Sequence, residues 1–368
     1  MTCSTRWPAL AFALATAVLP LSPASAATPH GRATSHARRC GLAEQSALPM
    51  PTGEHCLGKT SLHLVDPNRP ERFTADDRDH RELMVKIWYP RADHPRKERA
   101  AYVDPRTAAW MQSMVPVVPL DAFARIGPHA TVDAPMREGE RYPVILFSPG
   151  FGLVTEIFSA ILEDLASHGY VVVGIDHPYF SGLTVFPDGR EVAFRADAPL
   201  LFEVLVEDQR FVLDQLEALN SKGSGIFAGH LDLARAGAFG HSIGGAASVQ
   251  TARADARVKA AIDIDGAVFG EIGAWQTPVM LILSEDHRFA SDPTLEPAWM
   301  NLAPGGSYAV LKGAAHDDFT DTKYLLQAIA PDFPLPPELY GPIEPALALR
   351  MTSAWNLAFF DTHLPPGR

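Results

Sequence analysis

The sequence carries a serine flanked by two glycines, Gly240-x-Ser242-x-Gly244, where a strand pattern gives way to a helix pattern. A sharp strand-to-helix turn holds such a serine in a strained conformation, and glycines two positions away on each side remove the clashes. The hydroxyl then projects from the sheet towards a substrate. The pattern predicts Ser242 as a nucleophile, against the alternative of a glycine-rich turn without chemistry.

A serine hydroxyl is a weak nucleophile and needs a general base, which an acid in turn orients. In this kind of turn the chain order is serine, acid, histidine. His316 follows a late strand and is the predicted base, because His287 lies too close to the preceding strand and His363 follows the final helix. Asp265 and Asp286 each end a strand in between, and the pattern leaves the choice between these two acids open.

Acyl transfer creates an oxyanion that needs preorganised donors. The backbone N–H of Ile243, directly after the nucleophile, is one predicted donor. The second is the N–H of Phe151 in the loop 149–152, whose glycines let the backbone approach a substrate closely. The sequence has no His-Glu-x-x-His, Cys-x-x-Cys, phosphate-loop or dinucleotide-binding pattern, so the predicted reaction uses no metal and no cofactor.

The elements that must hold these residues alternate along the chain. Strands separated by helices form parallel units, and continuous apolar strands suit a sheet covered on both faces. We therefore predict an α/β-hydrolase fold: a mostly parallel central sheet with helices on both faces, and a site beyond the carboxyl ends of the strands. Strand patterns cover 83–89, 143–148, 170–176, 234–239, 259–265, 279–284 and 308–312, and helix patterns cover 156–166, 203–219, 245–253 and 344–360.

The composition narrows the class of function. Of 368 residues, 47% are hydrophobic and 20% are charged, which is typical of a globular protein and excludes a disordered chain. The formal net charge of −12 argues against nucleic acid as a partner. No obligate protein partner is inferred.

The N-terminus resembles an export signal. Arg6 precedes an apolar run from Ala9 to Leu21, and small residues before and at Ala26 suit signal peptidase. The run is shorter than the roughly 20 residues of a membrane span, which argues against the alternative of an N-terminal anchor. We expect a secreted or periplasmic protein with a signal peptide at 1–26, cleaved after Ala26, an N-terminal extension at 27–60 and a catalytic domain at 61–368.

Cleavage at Ala26 would leave two cysteines, Cys40 and Cys56. In an exported protein two cysteines suggest one disulfide, with two free thiols as the alternative. Closing a loop of this size stabilises the fold by about 3 kcal/mol. A further segment, 178–200, carries several aromatic residues and is expected either to line the cleft or to form a surface hairpin.

Several phrases together resemble the platelet-activating-factor acetylhydrolase family, in its plasma and type II branch. The likeness covers about 61–319, and its order of motifs is more specific than any one of them. It implies Ser242 as nucleophile, His316 as base and Asp265 as acid, with Phe151 and Ile243 as oxyanion donors. The phrases are 134–152 continuing to 165–173, Gly-His-Ser-Ile-Gly-Gly at 240–245, Ile-Asp-Ile-Asp-Gly-Ala-Val-Phe at 262–269 and Gly-Ala-Ala-His-Asp-Asp-Phe at 313–319.

The resemblance implies a secreted serine carboxylic-ester hydrolase that releases short acyl chains from small-molecule or lipid esters. These esters include phospholipids with an acetyl or truncated sn-2 chain. A protein that acts on such substrates is expected to contact lipid surfaces transiently. The chain departs from the family at Pro149, where a histidine is usual, and it carries Glu285 and Asp286 at the acid position of related polyester hydrolases. The alternatives are a secreted cutinase-like polyesterase or lipase, and a catalytically silent hydrolase fold that binds a ligand.

Overall fold

The computed structural model describes Cys40 and residues 47–93, 98–119, 121–195, 202–269 and 275–367. The predicted signal peptide, its cleavage site and much of the predicted extension lie outside the described residues. The described strands are β1 (Leu57–Pro70), β2 (His80–Pro90), β3 (Ala130–Val132), β4 (Tyr142–Ser148), β5 (Val171–Asp176), β6 (Leu183–Val185), β7 (Glu191–Ala193), β8 (Leu231–His241), β9 (Val258–Ile264), β10 (Val279–Ser284) and β11 (Ser307–Leu311). The described α-helices are α1 (Pro105–Met114), α2 (Ser159–Ser167), α3 (Phe202–Asn220), α4 (Ile243–Ala254), α5 (Leu295–Met300), α6 (Thr322–Ile329) and α7 (Pro345–His363).

Nine strands form one sheet in the order β11-β10-β9-β8-β4-β5-β2-β1-β3. The strands from β11 to β5 are parallel, and β2 is antiparallel to both of its neighbours. The carboxyl ends of β4, β8, β9, β10 and β11 therefore lie along the same edge of the sheet. The loops after them carry the predicted site residues.

The sheet is covered by helices on both faces. Phe147 and Phe239 point to one side and belong to the apolar core that includes side chains of α2 and α7. Leu146 and Ala238 point to the other side and belong to the core that includes side chains of α3 and α4. Burying one large apolar side chain contributes about 1.5–3 kcal/mol, so the central strands are held from both sides. The predicted α/β-hydrolase fold is confirmed.

Some elements were not predicted. The predicted helix at 156–166 is a 3₁₀ turn, Thr155–Phe158, followed by α2. Strand β1 begins at Leu57, so the predicted domain boundary between residues 60 and 61 falls inside it. Most of β1 beyond Thr60 alternates between exposed and half-buried positions, which gives no apolar run to detect. The sequence prediction also missed β3, β6, β7, α1, α5 and α6.

The predicted disulfide is confirmed. Cys40 and Cys56 are bonded, with their Cα atoms 5.3 Å apart. Arg91 Nη2 donates a hydrogen bond to the Cys40 carbonyl at 3.0 Å, so Cys40 is tied to the end of β2 as well as to the start of β1. None of the described helices is both long and apolar enough to cross a membrane.

Candidate active site

Ser242 lies at a strained turn between β8 and α4. Its backbone has φ 57° and ψ −127°, a conformation that residues with a Cβ rarely adopt. Its N–H donates to the Ile264 carbonyl at 2.8 Å, which ties the turn to β9. The flanking glycines are required by packing, since a Cβ on Gly244 would lie 2.1 Å from the Ser148 carbonyl oxygen. The turn therefore has the geometry predicted for a nucleophile elbow.

The loop after β4 lies directly against this serine. A Cβ on Gly150 would stand 2.7 Å from His241 Nδ1 and 3.2 Å from the Cβ of Ser242, so a larger residue would push the loop away from the serine. The loop is braced by hydrogen bonds from Leu153 N–H to the Gly150 carbonyl and from Gly152 N–H to the Phe180 carbonyl. Across the turn, Ile243 is the first residue of α4, where N–H groups lack an intrahelical acceptor. Two backbone segments thus flank the hydroxyl.

The predicted base and the predicted acid are in contact. His316 begins a 3₁₀ turn after β11, and its Nδ1 lies 2.7 Å from Asp265 Oδ2. Asp265 follows β9 with a positive φ of 56°, and its N–H donates to the Ile282 carbonyl on β10. The second acid candidate, Asp286, is exposed, and its backbone carbonyl accepts a hydrogen bond from Ser291.

The environment of Asp265 favours its charged form. Burial opposes ionisation, but hydrogen bonds from His287, His316 and the Ser284 N–H outweigh it and hold the pKa of Asp265 well below its usual range. The Ser284 bond to Oδ1 is 2.6 Å long. Asp263, two residues earlier, is different: burial raises its pKa well above the usual range, and its Oδ1 accepts the Gly266 N–H. The surroundings therefore favour the charged form of Asp265 and the uncharged form of Asp263.

His241 holds the histidine loop in place and was missed by the sequence prediction. Its Nε2 donates to the His316 carbonyl oxygen at 2.7 Å, and the two imidazole rings lie 4.5 Å apart. Burial, assisted by the charge of His316, lowers the pKa of His241 to about 3. The ring is therefore neutral at physiological pH. Because His241 lies inside the motif of residues 240–244, that motif was the only sequence feature that could have pointed to this residue.

Glu285 is a brace of the same loop. Its Oε2 accepts the Gly313 N–H at 2.8 Å, and its own N–H donates to the Ala314 carbonyl. The residue that follows β10 therefore fixes the segment leading into His316. This carboxylate was noted in the sequence as part of an alternative acid position, and the structure gives it a contact with backbone instead.

One group among the described residues has the spacing of metal ligands. His241, His316 and Asp317 each offer a ligand atom, and these atoms lie within 4.8 Å of one another. Nε2 of His241 is already bonded to the His316 carbonyl, and Nδ1 of His316 is bonded to Asp265. A metal bound here would compete with these contacts, so the group fits the hydrogen-bonded arrangement better than a metal centre.

A buried polar chain begins directly before the loop 149–152, which we call the oxyanion loop after its predicted role. Ser148, at the end of β4, is hydrogen bonded to His177 Nε2 at 2.9 Å, and His177 Nδ1 lies 2.8 Å from Asp208. Arg81 closes the chain with a 2.7 Å ion pair to Asp208. Burial opposes ionisation of Asp208, but the Arg81 charge and the His177 bond hold its pKa well below the usual range. Gln209 Nε2 donates to both Ser148 and a serine of α4, and thereby links the oxyanion loop to the nucleophile helix.

Aromatic rings flank the mouth of the site. Phe151 is 38% exposed, and its ring lies 4.8 Å from Phe194 and 5.6 Å from Phe180. The segment predicted as a cleft-lining excursion or a surface hairpin is described as far as Arg195. It contains the antiparallel hairpin β6–β7, and Phe194 directly follows that hairpin. The described part of 178–200 is therefore a hairpin, as in the second expectation, and its Phe194 ring contacts Phe151 of the oxyanion loop.

Comparison with known proteins shows the family to which the chain belongs. One family model, described as platelet-activating factor acetylhydrolase, isoform II, matches residues 41–187. A probable 1-alkyl-2-acetylglycerophosphocholine esterase from Arthroderma benhamiae is 35% identical over 317 residues, which cover 76% of this chain and 78% of the relative. The chain belongs to the platelet-activating factor acetylhydrolase family.

Further matches widen the group. A platelet-activating factor acetylhydrolase from Bos taurus is 24% identical over 358 residues, covering 87% of this chain and 78% of the relative. A family model described as PET hydrolase-like matches residues 127–318, more than half of the chain, so the chain belongs to that family as well. A solved ferulic acid esterase from Streptomyces cinnamoneus is 33% identical with a TM-score of 0.74, covering 88% of this chain and 94% of that one. This acetylhydrolase-family chain is a carboxylic-ester hydrolase.

Proposed function

We propose that this acetylhydrolase-family protein is an exported serine esterase that uses Ser242 as nucleophile, His316 as general base and Asp265 as the orienting acid. The observation that carries the proposal is the 2.7 Å contact between His316 Nδ1 and Asp265 Oδ2, beside the strained turn that holds Ser242. A carboxylate at Nδ1 leaves Nε2 free to accept a proton. Asp286 is exposed, which supports Asp265 as the acid.

In the proposed mechanism, Ser242 Oγ attacks the ester carbonyl carbon while its proton passes to His316 Nε2. The carbonyl oxygen becomes an oxyanion, held by the N–H groups of Phe151 and Ile243. The C–O bond to the alcohol then breaks, and the alcohol leaves with the proton from His316. Water, deprotonated by the same histidine, attacks the acyl-enzyme and releases the acid.

We propose that the enzyme prefers esters of short acyl groups, including the acetyl ester of a phospholipid. The proposal rests on family membership and on the relative named as an alkyl-acetylglycerophosphocholine esterase. The ring of Phe151, beside the proposed oxyanion donor, packs against Phe180 and Phe194, and we propose that these rings limit the length of the acyl group.

A second candidate is an esterase for aromatic or polymeric esters. The same rings favour it, because they offer edge and face contacts to a flat acyl group. The PET hydrolase-like match and the ferulic acid esterase neighbour support it further. Substituting Phe194 with alanine separates the candidates: it should raise KM for a cinnamoyl or benzoyl ester severalfold if aromatic acids are the substrates, and leave acetyl esters nearly unchanged.

The test of the proposed nucleophile is Ser242→Ala with p-nitrophenyl acetate. Loss of a triad serine lowers kcat by several orders of magnitude. Ser221→Ala is the matched control, because Ser221 is exposed and bonds only to the Glu217 carbonyl within its own helix end. Substantial activity in a folded Ser242→Ala protein would exclude the assignment. An organophosphonate should label Ser242 in the unmodified protein and not in the variant.

The substrate class is tested by an acyl-chain series on the mature protein. The series contains p-nitrophenyl esters of increasing length, an acetyl phospholipid and a polyester film. A steep fall in kcat/KM beyond short chains supports the acetylhydrolase proposal, whereas comparable turnover of the film favours the second candidate. Export is supported by the disulfide, which suits an oxidising compartment. The exported protein should begin at Ala27 by N-terminal sequencing.

A further inference from the structure

His287 lies between two carboxylates. Its Nδ1 is 3.2 Å from Asp265 Oδ1, and its Nε2 is 2.9 Å from Asp292 Oδ2. Asp292 is itself fixed, because its other oxygen accepts both the N–H and the hydroxyl of Thr294 at 2.7 and 2.6 Å. The imidazole is 20% exposed and is held in this position from both sides.

This arrangement requires a charged ring. A neutral imidazole has one N–H and one lone pair, so it would direct a lone pair at one of the two carboxylates. The imidazolium donates to both. Burial opposes the charge, but the hydrogen bonds to Asp265 and Asp292 outweigh it and raise the pKa of His287 to about 9.

Other ionisable groups also lie near this cation. On β9, burial raises the pKa of Asp263 well above the usual range, which favours its uncharged form. On the segment of His287 itself, exposed Arg288 pairs with half-buried Glu285 at 3.6 Å. The titratable and charged groups around His287 among the described residues are Asp263, Asp265, Glu285, Asp286, Arg288, Asp292 and His316.

We propose that His287 is a positioning residue that acts through Asp265 as a fixed positive charge and extends the activity to lower pH. The inference rests on the proposed function, in which Asp265 and His316 are acid and base. It assigns each oxygen of one carboxylate to a different imidazole: Oδ2 to His316 and Oδ1 to His287 and the Ser284 N–H.

The physical effect has a defined direction. Asp265 attracts a proton to His316, and a cation on its second oxygen weakens that attraction. Without the cation that attraction is stronger, so the acid limb of the pH–rate profile should move up.

The test compares the acid limb of kcat/KM in three proteins: unmodified, His287→Asn and Asp292→Asn. Asparagine at 287 can donate a hydrogen bond towards Asp265 without carrying charge. We expect its acid-limb midpoint to rise by about one pH unit. In Asp292→Asn the ring keeps Asp265 as an acceptor and loses a neighbouring anion, so a smaller shift in the opposite direction, to lower pH, is expected.

A purely structural role predicts the opposite pattern. If His287 only holds the loop after β10, both variants should lower the plateau kcat and leave the midpoint unchanged, and that result overturns the proposal. An unchanged profile in both variants overturns it as well. Asp292→Asn lies outside the proposed catalytic machinery and keeps the test available if His287→Asn does not fold.

A second measurement is independent of turnover. In the ¹⁵N-labelled, unmodified protein at pH 7, both ring nitrogens of His287 should show imidazolium shifts, with Asp292→Asn used to identify the resonances that move. A neutral ring at pH 7 overturns the proposal. Failure of the proposed function is distinguishable, because then Asp265→Asn would leave hydrolysis intact while the ring of His287 could still be charged.

Discussion

Replacing Asp265 with asparagine tests the acid most directly. The side chain keeps its shape and loses its charge. Its oxygen is expected to occupy the Oδ1 position, where the Ser284 N–H and His287 both donate. The new NH₂ group then faces His316 Nδ1, which sits 2.7 Å from the present Oδ2. Two donors cannot share that contact, so His316 must move its proton from Nδ1 to Nε2.

Two routes give the size of the effect. A histidine protonated on Nε2 cannot accept the proton of Ser242, and the equivalent exchange in a serine-protease triad costs about 10⁴ in kcat. Independently, a full charge about 4 Å from the imidazolium is worth about 4 kcal/mol at an effective dielectric constant of about 20, which corresponds to about three orders of magnitude in rate. We therefore expect a loss of about 10³–10⁴ in kcat.

The assay is p-nitrophenyl acetate hydrolysis at saturating substrate, with circular dichroism and thermal unfolding to verify the fold. Asp286→Asn is the matched control: its carboxylate is exposed, so the change should stay within about threefold. A folded Asp265→Asn protein that keeps a tenth of the activity would refute the assignment. A hundredfold loss in Asp286→Asn instead would indicate that Asp286 is the acid, at the position that the related polyester hydrolases use.

Three further predictions follow from the packing around the site. Gly244→Ala should abolish activity and lower expression, because its Cβ would lie 2.1 Å from the Ser148 carbonyl, whereas Gly223→Ala meets nothing within 4 Å and should be neutral in both assays. Asp208→Asn should lower the free energy of unfolding in urea by about 1.5–3 kcal/mol, because buried Arg81 loses one of its two carboxylate partners and keeps Glu71. The lowered pKa of Asp208 means that its stabilisation is complete above about pH 4 and is lost below it, so the gap between the two proteins should close in acid. Reducing the disulfide should lower the free energy of unfolding by up to about 3 kcal/mol, and a variant lacking both cysteines should not respond to the reductant.

The strands around the site were predictable because strands that are buried on both faces of the sheet consist of continuous apolar runs. Residues 143–148 and 279–284 are such runs, and they correspond to β4 and β10. Strand β1 was not predictable in this way. It lies near the edge of the sheet, and beyond Thr60 its side chains meet solvent as often as the core, so its place is set by pairing with β2.

The residues that bring the site together were predictable only in part. Ser242 and His316 lie in local motifs, which can be recognised from the sequence alone. His177, His241 and His287 instead act through contacts made after folding, with Asp208, the His316 carbonyl and Asp265 respectively. Their neighbours in the sequence carry no common pattern. His287 was discarded as a base for a correct reason, its closeness to the preceding strand, and that closeness is what brings it to the acid.

The proposed choice of Asp265 over Asp286 rests on contacts that chain spacing alone leaves open. Both β9 and β10 end in carboxylates at the same sheet edge, so chain order alone permits either to orient His316. After β9, the chain turns with a positive φ at Asp265, and three donors converge on the buried carboxylate. After β10, Glu285 is bound to the Gly313 N–H, Asp286 faces solvent and the next residue, His287, donates to Asp265. The second strand end therefore supports the first carboxylate with a cation instead of competing with it, which is why the exchange of a single charge at residue 287 should be felt at His316.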